Sequence, residues 1–401
     1  MAAGDADVIV VNTCGFIDAA KEESIAAILE AADTARACGA RLAAIGCLVE
    51  RYREELAGEI PEVDVWCGLD ATPLFVALAE ASAQGSAVDG SRQAARARRG
   101  ARPVSAYVKI SDGCDRRCSY CAIPLIKGDY EAVPADAVLR TARAALAGGA
   151  RELVLVGQDT SRWAQPGWGG LERLLAEVAA LGPAPDWLRL LYLQPDGIDA
   201  ALLEALARHA VPYVDVPLQH ASGAVLRRMR RRGDGAAHLA LLKRIRAALP
   251  GVAVRSTFLV GFPGETEAEF DELVAFVREA ELAVAGVFVF DPQEGTDAAR
   301  LADHVPAPLA RERAAYLSEI IDREAGRFWE ALIGTHTEVL VERGAAQSSG
   351  TAVGRCVHQA PDVDGRTFVR GARARRGDVV QAVVTEALGY DVQAVAESRE
   401  P

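Results

Sequence analysis

Between residues 105 and 292 a short apolar run and a helical pattern follow one another six times, and this alternation confines the chain to few folds. The runs are AYVKIS (106–111), ELVLVGQD (152–159), LRLLYLQP (188–195), YVDVPLQ (213–219), VAVRSTFLVGFP (252–263) and AVAGVFVFDP (283–292). Most are apolar at successive positions rather than at every second one, as in strands whose sheet is covered on both faces. Helical patterns such as PADAVLRTARAALAGG (134–149) and TEAEFDELVAFVREA (266–280) separate them, the latter with Thr266 and Glu269 in capping-box spacing. Such units in series predict an α/β fold, a parallel sheet wrapped into a partial TIM-like (β/α)6 barrel with chemistry at the C-terminal strand ends.

The flanks read differently. Residues 1–83 hold three strand candidates, DVIVVNTC (7–14), LAAIGCL (42–48) and DVWCG (64–68), with helices over 19–39, ending at Gly39, and over 72–81. A doubly wound sheet usually has more strands, so this α/β unit reads as truncated at its front. Residues 84–104, rich in Gly, Ser, Ala and Arg without an apolar period, read as a linker. After a charged helical stretch at 305–333 come THTEVLVE (335–342), GTAVGRCVHQ (350–359), RTFVR (366–370) and DVVQAVVTEA (378–387). These predict a small C-terminal antiparallel β-barrel, OB-like, with Asp364-Gly365 as a hairpin turn. The expected domains are 1–83, 105–332 and 333–398, with the linker at 84–104.

With 401 residues, 50% of them hydrophobic, the chain can build several cores and is too apolar for disorder. Its net charge of −12 argues against nucleic acid as the main partner, while leaving local contacts open. No uncharged apolar run nears the roughly 20 residues of a membrane span. The start, MAAGDADVIVV, lacks an export-signal pattern. These features point to the cytoplasm, where thiols stay reduced and clustered Cys indicate metal or redox chemistry.

Of the eight Cys, only Cys114, Cys118 and Cys121 are tightly spaced, as Cys-x-x-x-Cys-x-x-Cys in SDGCDRRCSYCAIP (111–124). Three thiolates on one loop can hold three irons of a [4Fe–4S] cluster and leave the fourth iron open. A closed zinc site needs four protein ligands, and His209 and His220 are distant in sequence. Three unrelated core cysteines are the remaining reading.

The triad, with Tyr120 before its last Cys at the end of the first barrel strand, resembles that of the radical S-adenosylmethionine (SAM) enzymes. The order of the three parts, with VNTCGFI (11–17), IGCL (45–48), LVGQDTSRW (155–163), YVDVPLQHAS (213–222) and STFLVGFPGETEAEF (256–270), is similar to the methylthiotransferases. In these the last barrel is the TRAM domain. The resemblance implies SAM and two [4Fe–4S] clusters as cofactors, cleavage of SAM to a 5′-deoxyadenosyl radical, and transfer of a methylthio group to an inert carbon. It implies that Cys114, Cys118 and Cys121 hold the SAM-binding cluster, with Tyr120 near the adenine. Gln158 and Asp159 would meet the methionine amino group of SAM, the alternative being ordinary strand-end turn residues. Arg255 would meet its carboxylate, the alternative being an ion pair within the barrel. His220 reads equally as a structural histidine, and the Arg227–Arg232 run as a solvated helix end.

Cys14 and Cys47 match two ligands of the family's auxiliary [4Fe–4S] cluster. The third precedes both in the family, so the resemblance leaves this cluster one ligand short. An upstream start, a true truncation, or replacement by Cys38 or Cys67 would account for that. Within the family one branch modifies the β-carbon of an aspartate in small-subunit ribosomal protein S twelve; another modifies a tRNA adenosine. SDGCDR (111–116), Gln158-Asp159-Thr160, Leu191-Tyr192 and VGRCVHQAPDVDG (353–365) resemble the first. The implied partners are the small ribosomal subunit, an electron donor such as flavodoxin or ferredoxin, and nucleic acid through the TRAM domain, with no membrane. A non-catalytic iron–sulfur module that docks on the ribosome is the alternative from another class.

Overall fold

The computed structural model describes residues 6–76, 103–345, 350–371 and 373–397. Contacts divide it into two compact units: the described residues of 1–100 with 113–129 and 291–300, and the described residues of 101–112, 130–290 and 301–401. The expected linker at 84–104 and the end of the helix expected at 72–81 lie almost wholly outside the described residues.

In the first unit, β1 (Val8–Thr13), β2 (Arg41–Gly46) and β3 (Val65–Cys67) form a parallel sheet in that order. Helices α1 (Asp18–Cys38) and α2 (Cys47–Glu59) are its crossovers. Ile28, Ala32 and Ala35 recur at helical spacing, so one stripe of α1 is buried with Leu42 and Ala44 of β2. Gly39 ends α1 in the left-handed conformation, as expected. The second strand is shorter than its sequence run. Gly46 has φ 107°, and a Cβ there would lie 2.5 Å from the Thr13 carbonyl oxygen, so the chain turns at this point. Cys47 therefore opens α2 instead of ending β2.

The second unit carries β4 (Ser105–Lys109), β5 (Ser111–Asp112), β6 (Glu131–Ala132), α4 (Ala135–Ala147) and β7 (Glu152–Val156), with α3 (Ile123–Lys127) on the intervening segment of the first unit. A small hairpin of β8 (Ala164–Gln165) and β9 (Gly169–Gly170) leads to α5 (Leu171–Ala179) and β10 (Trp187–Leu190). Then come α6 (Ala200–His209), β11 (Tyr213–Asp215), α7 (Gly223–Arg228), α8 (Gly235–Ala248), β12 (Ala253–Val260), α9 (Glu267–Ala280), β13 (Val284–Val289) and α10 (Ala307–Ala331). Strands β4, β7 and β10 form one parallel sheet, and β11, β12 and β13 another. Val211 N donates to Leu188 O at 2.9 Å and Leu193 N to Asp215 O at 3.0 Å, which joins the two sheets in sequence order. The result is the expected open six-strand α/β barrel. The run YVDVPLQ yields only Tyr213–Asp215, since Pro217 has no N–H for a ladder.

Val108, Leu155, Leu188, Val214 and Phe258 face the surrounding helices in one continuous core. The Thr266–Glu269 capping box is present: Glu269 N donates to Thr266 Oγ1 at 3.2 Å, and Thr266 N to Glu269 Oε2 at 2.8 Å. On the opposite face of β7, Glu152 is fully buried. It accepts from Arg189 Nε at 2.8 Å, Ser105 Oγ at 2.7 Å and Arg355 Nη2 at 2.5 Å. Burial pushes its carboxyl up, but the two guanidinium groups outweigh that and hold it below the usual range.

Arg355 belongs to the C-terminal barrel, built from β14 (His336–Arg343), β15 (Thr351–Cys356), β16 (Thr367–Arg370), β17 (Val379–Leu388) and β18 (Asp391–Ala396). It closes in the order β14-β15-β16-β18-β17 and is antiparallel except for the parallel pair β16–β18. Asp364-Gly365 does not form a tight hairpin. Strands β15 and β16 pair, but residues 357–366 make a longer loop between them. The Asp364 carboxylate folds that loop by accepting from Ala360 N at 2.8 Å and from Tyr213 OH at 2.7 Å. No described helix is long and apolar enough to cross a membrane.

Candidate metal centre

The cysteine loop spans residues 113–129 of the first unit. Gly113 has φ +66°, and a Cβ there would lie 2.0 Å from Asp129 O, so only glycine lets the two ends of the loop meet. Cys114 N closes it by donating to Gly128 O at 3.1 Å. Arg117, itself at φ 54°, pairs with Asp129. Cys121 N donates to Cys118 O at 3.1 Å, a turn that leads straight into α3. Backbone contacts and the Arg117–Asp129 ion pair thus set the loop's path. Cys114, Cys118 and Cys121 are half-buried and none is in a disulfide; Tyr120, between Ser119 and Cys121, is half-buried as well.

The same unit places Cys14 and Cys47 side by side. Thr13 and Gly46 are register partners, and each cysteine is the residue that follows. Both therefore leave the C-terminal edge of the β1–β2 pair together. Thr13 Oγ1 donates to Ile45 O at 2.7 Å, and Cys14 N donates to Ser24 Oγ at 2.9 Å. Cys14 is exposed and Cys47 half-buried. Helix α2, which Cys47 opens, packs on α3, which follows Cys121. Cys67 is instead a core residue with Ala43 and Leu74, and Cys38 sits half-buried at the end of α1. Cys356 is buried in the last barrel, where burial pushes its thiol up.

Residues 291–300 are a connecting element that the sequence reading missed. Asp291 Oδ2 accepts from Asp18 N at 2.8 Å, and Gln293 Nε2 donates to Asp18 Oδ1 at 3.2 Å. Arg51 bridges Gly15 O at 3.2 Å and Glu294 O at 2.9 Å, while Ala298 N donates to Ser119 O at 2.8 Å. The segment clips both cysteine sets together. Its only sequence signal is the turn-like PQEGT (292–296), which names no partner.

In the second unit, Gln158 and Asp159 follow β7. The Asp159 side chain accepts from Ser161 Oγ at 2.6 Å and is buried. Gln158 Oε1 is buried without a hydrogen-bond partner, and so is Gln194 Oε1 after β10. Two such acceptors at strand ends suit a ligand that brings donors. Arg255 lies on β12 with Nη1 3.2 Å from Asp215 Oδ1 and Nε 3.6 Å from Asp364 Oδ1. This is the geometry of the ion-pair alternative: two carboxylates flank the guanidinium. His220 is fully buried, accepts from Ser222 N at 2.9 Å through Nδ1 and lies 3.5 Å from Glu265. Glu265 in turn accepts from Arg313 at 2.6 Å.

Among the described residues no three His, Cys, Asp or Glu side chains form a cage for a single metal ion. The donor chemistry nonetheless fits an iron–sulfur cluster: three thiols on a loop closed by its own backbone, with no fourth thiol on that loop.

Family models match three stretches: "Uncharacterized protein family UPF0004" at 1–68, the radical SAM superfamily at 108–277 and the TRAM domain at 333–396. Among solved structures, the radical SAM methyltransferase TsrM from Kitasatospora setae superposes with a TM-score of 0.53 at 14% identity, over 74% of this chain and 67% of that one. That likeness shows the barrel fold. The ribosomal protein uS12 methylthiotransferase RimO of Anaeromyxobacter sp. (strain K) is 40% identical over 99% of this chain and 86% of its own length. The RimO of Desulforudis audaxviator is 42% identical, over 97% and 89%. That of Geobacter sulfurreducens is 38% identical, over 97% and 90%. Since this identity runs through the front unit, the barrel and the last barrel alike, the chain belongs to the ribosomal protein uS12 methylthiotransferase family.

Proposed function

We propose that this chain adds a methylthio group to the β-carbon of an aspartate in ribosomal protein uS12, using SAM and iron–sulfur clusters. The observation that carries the reading is the triad of Cys114, Cys118 and Cys121 on a glycine-closed loop, within a chain about 40% identical to uS12 methylthiotransferases. These three thiolates would hold the SAM-binding cluster, and Cys14 and Cys47 would give two ligands to the auxiliary one. When bound, the SAM-loaded cluster supplies a radical able to take hydrogen from a carbon too inert for acid–base chemistry. The chain's own residues bind, orient and exclude. The short Cys114–Gly128 closure keeps the three sulfurs on one small loop. Gln158 offers a buried acceptor for an ammonium group, and Asp159 is held in one rotamer by Ser161.

The electron donor in this reading is a small redox protein such as flavodoxin or ferredoxin, and the site of action is the cytoplasm, beside the ribosome. Nucleic acid contact through the TRAM domain would be local, since arginines and carboxylates nearly balance there. The test is anaerobic incubation of the cluster-loaded chain with SAM, reductant and uS12, followed by peptide mass spectrometry. The expected product is an aspartate heavier by one methylthio group. The same modification on tRNA adenosine, with uS12 untouched, would overturn the reading.

A further inference from the structure

Residues 291–300 contain no strand, yet Gln293, Thr296 and Ala298 are buried, as is Ser119 of the cysteine loop, all within the first unit. A connecting segment does not ordinarily bury its polar side chains. Here they are buried because they are bonded. Thr296 Oγ1 and Thr296 N both donate to Gln293 O, at 2.7 and 3.1 Å, which folds the segment on itself. Gln293 Nε2 donates to Asp291 Oδ2 at 2.8 Å and to Asp18 Oδ1 at 3.2 Å. From this knot the bonds leave in two directions. On one side Arg51 ties Glu294 O to Gly15 O, the residue after Cys14. On the other side Ala298 N reaches Ser119 O, the residue after Cys118. Only the stretch 294–298 separates the two ties. The packing of α2 on α3 brings the same two segments into contact, but packing is non-directional, whereas these hydrogen bonds fix position. Holding α1 on its sheet does not call for them, since Ile28, Ala32 and Ala35 already bury that helix.

We propose that residues 291–300 are a positioning element of the reaction: through Arg51, Gln293 and Ala298 they fix the separation of Cys14 and Cys47 from the loop of Cys114, Cys118 and Cys121. The inference rests on the reading that both cysteine sets serve methylthio transfer. In that reading sulfur held at one set must meet the carbon radical that chemistry at the other set generates, before the radical is quenched. A misplacement of about 1 Å can cost such a step about a hundredfold. A loosened clip therefore leaves SAM cleavage, which needs only the triad loop, and uncouples it from sulfur transfer, which needs both sets. Arg51, Gln293 and Ala298 touch neither set's sulfurs by any of these bonds; they act on the backbone beside them.

The test compares the full chain with Gln293→Leu, which removes both Nε2 bonds at similar volume, and with Arg51→Ala, a half-buried position that carries the experiment if the first variant does not fold. Amide hydrogen exchange is followed before and after cluster loading. The expected result is exchange about tenfold faster at 113–129 and at the start of α1, with the last barrel unchanged. The loaded chain is then given SAM, reductant and uS12, and 5′-deoxyadenosine and methylthiolated uS12 are both counted. The 5′-deoxyadenosine formed per methylthio group transferred should rise about threefold in each variant, with the rate of 5′-deoxyadenosine formation within about twofold of wild type. Unaltered exchange at 113–129 in both variants overturns the inference. So does a fall of both products in proportion, which is what a merely structural role would give. If the wild type cleaves SAM and leaves uS12 unmodified, the proposed function has failed, and the exchange result still decides whether the clip ties the two cysteine segments together.

Discussion

The cysteine loop of the first unit and the Glu152 cluster of the second hold polar groups in opposite ways. The loop is shaped by its backbone: Gly113, the Cys114–Gly128 hydrogen bond and the Cys118–Cys121 turn. The Glu152 cluster is shaped by side chains, with Arg189, Arg355 and Ser105 converging on one buried carboxylate. Chemistry and stability are therefore vulnerable to different substitutions. A change in the loop should remove activity and spare the fold; a change in the cluster should do the reverse.

Cys118→Ala should abolish 5′-deoxyadenosine formation while leaving thermal unfolding of the cluster-free chain unchanged; calorimetry and product chromatography on one preparation would show both. Glu152→Ala should do the opposite, costing about 3–5 kcal/mol because two buried guanidinium groups lose their counter-charge. Urea unfolding reads this loss, and unaltered stability would remove the contrast.

The third prediction concerns pH. Burial lowers His238 on α8 and His358 in the 357–366 loop from the usual 6.5 to about 4. Their folded pKa lies below the unfolded one, so this stability is fully present above about pH 6.5 and is lost as pH falls toward 4. The loss approaches about 3 kcal/mol for each at the acid limit. His238→Gln and His358→Gln should flatten the acid limb of a stability profile. The smallest effect belongs to Thr266→Ala at the start of α9, about 1 kcal/mol from the lost cap.

The same contrast explains what the sequence could reveal. The cysteine loop is contiguous, so spacing alone exposed its donors, and the apolar runs gave all six barrel strands because each buries its own residues. The Glu152 cluster joins β4, β7, β10 and β15, and no local pattern announces such a meeting. The clip at 291–300 was hidden for the same reason, since Arg51 and Glu294 are far apart in sequence. Arg255 was visible as an inward charge, but whether it faces a ligand or Asp215 and Asp364 depends on a loop from the last barrel. Strand β18 (Asp391–Ala396) was missed, although it is longer than β16. Asp364-Gly365 looked like a hairpin turn because local chemistry cannot show that its carboxylate is taken by Tyr213.

The central claim is that three sulfurs at Cys114, Cys118 and Cys121 leave one iron open to SAM. Electron paramagnetic resonance of the reduced, reconstituted chain, recorded with and without SAM, tests it directly. The account predicts a [4Fe–4S] signal with a component that SAM alters in the wild type and that disappears in Cys118→Ala. A wild-type signal wholly indifferent to SAM, or a SAM-sensitive component that survives Cys118→Ala, would contradict it.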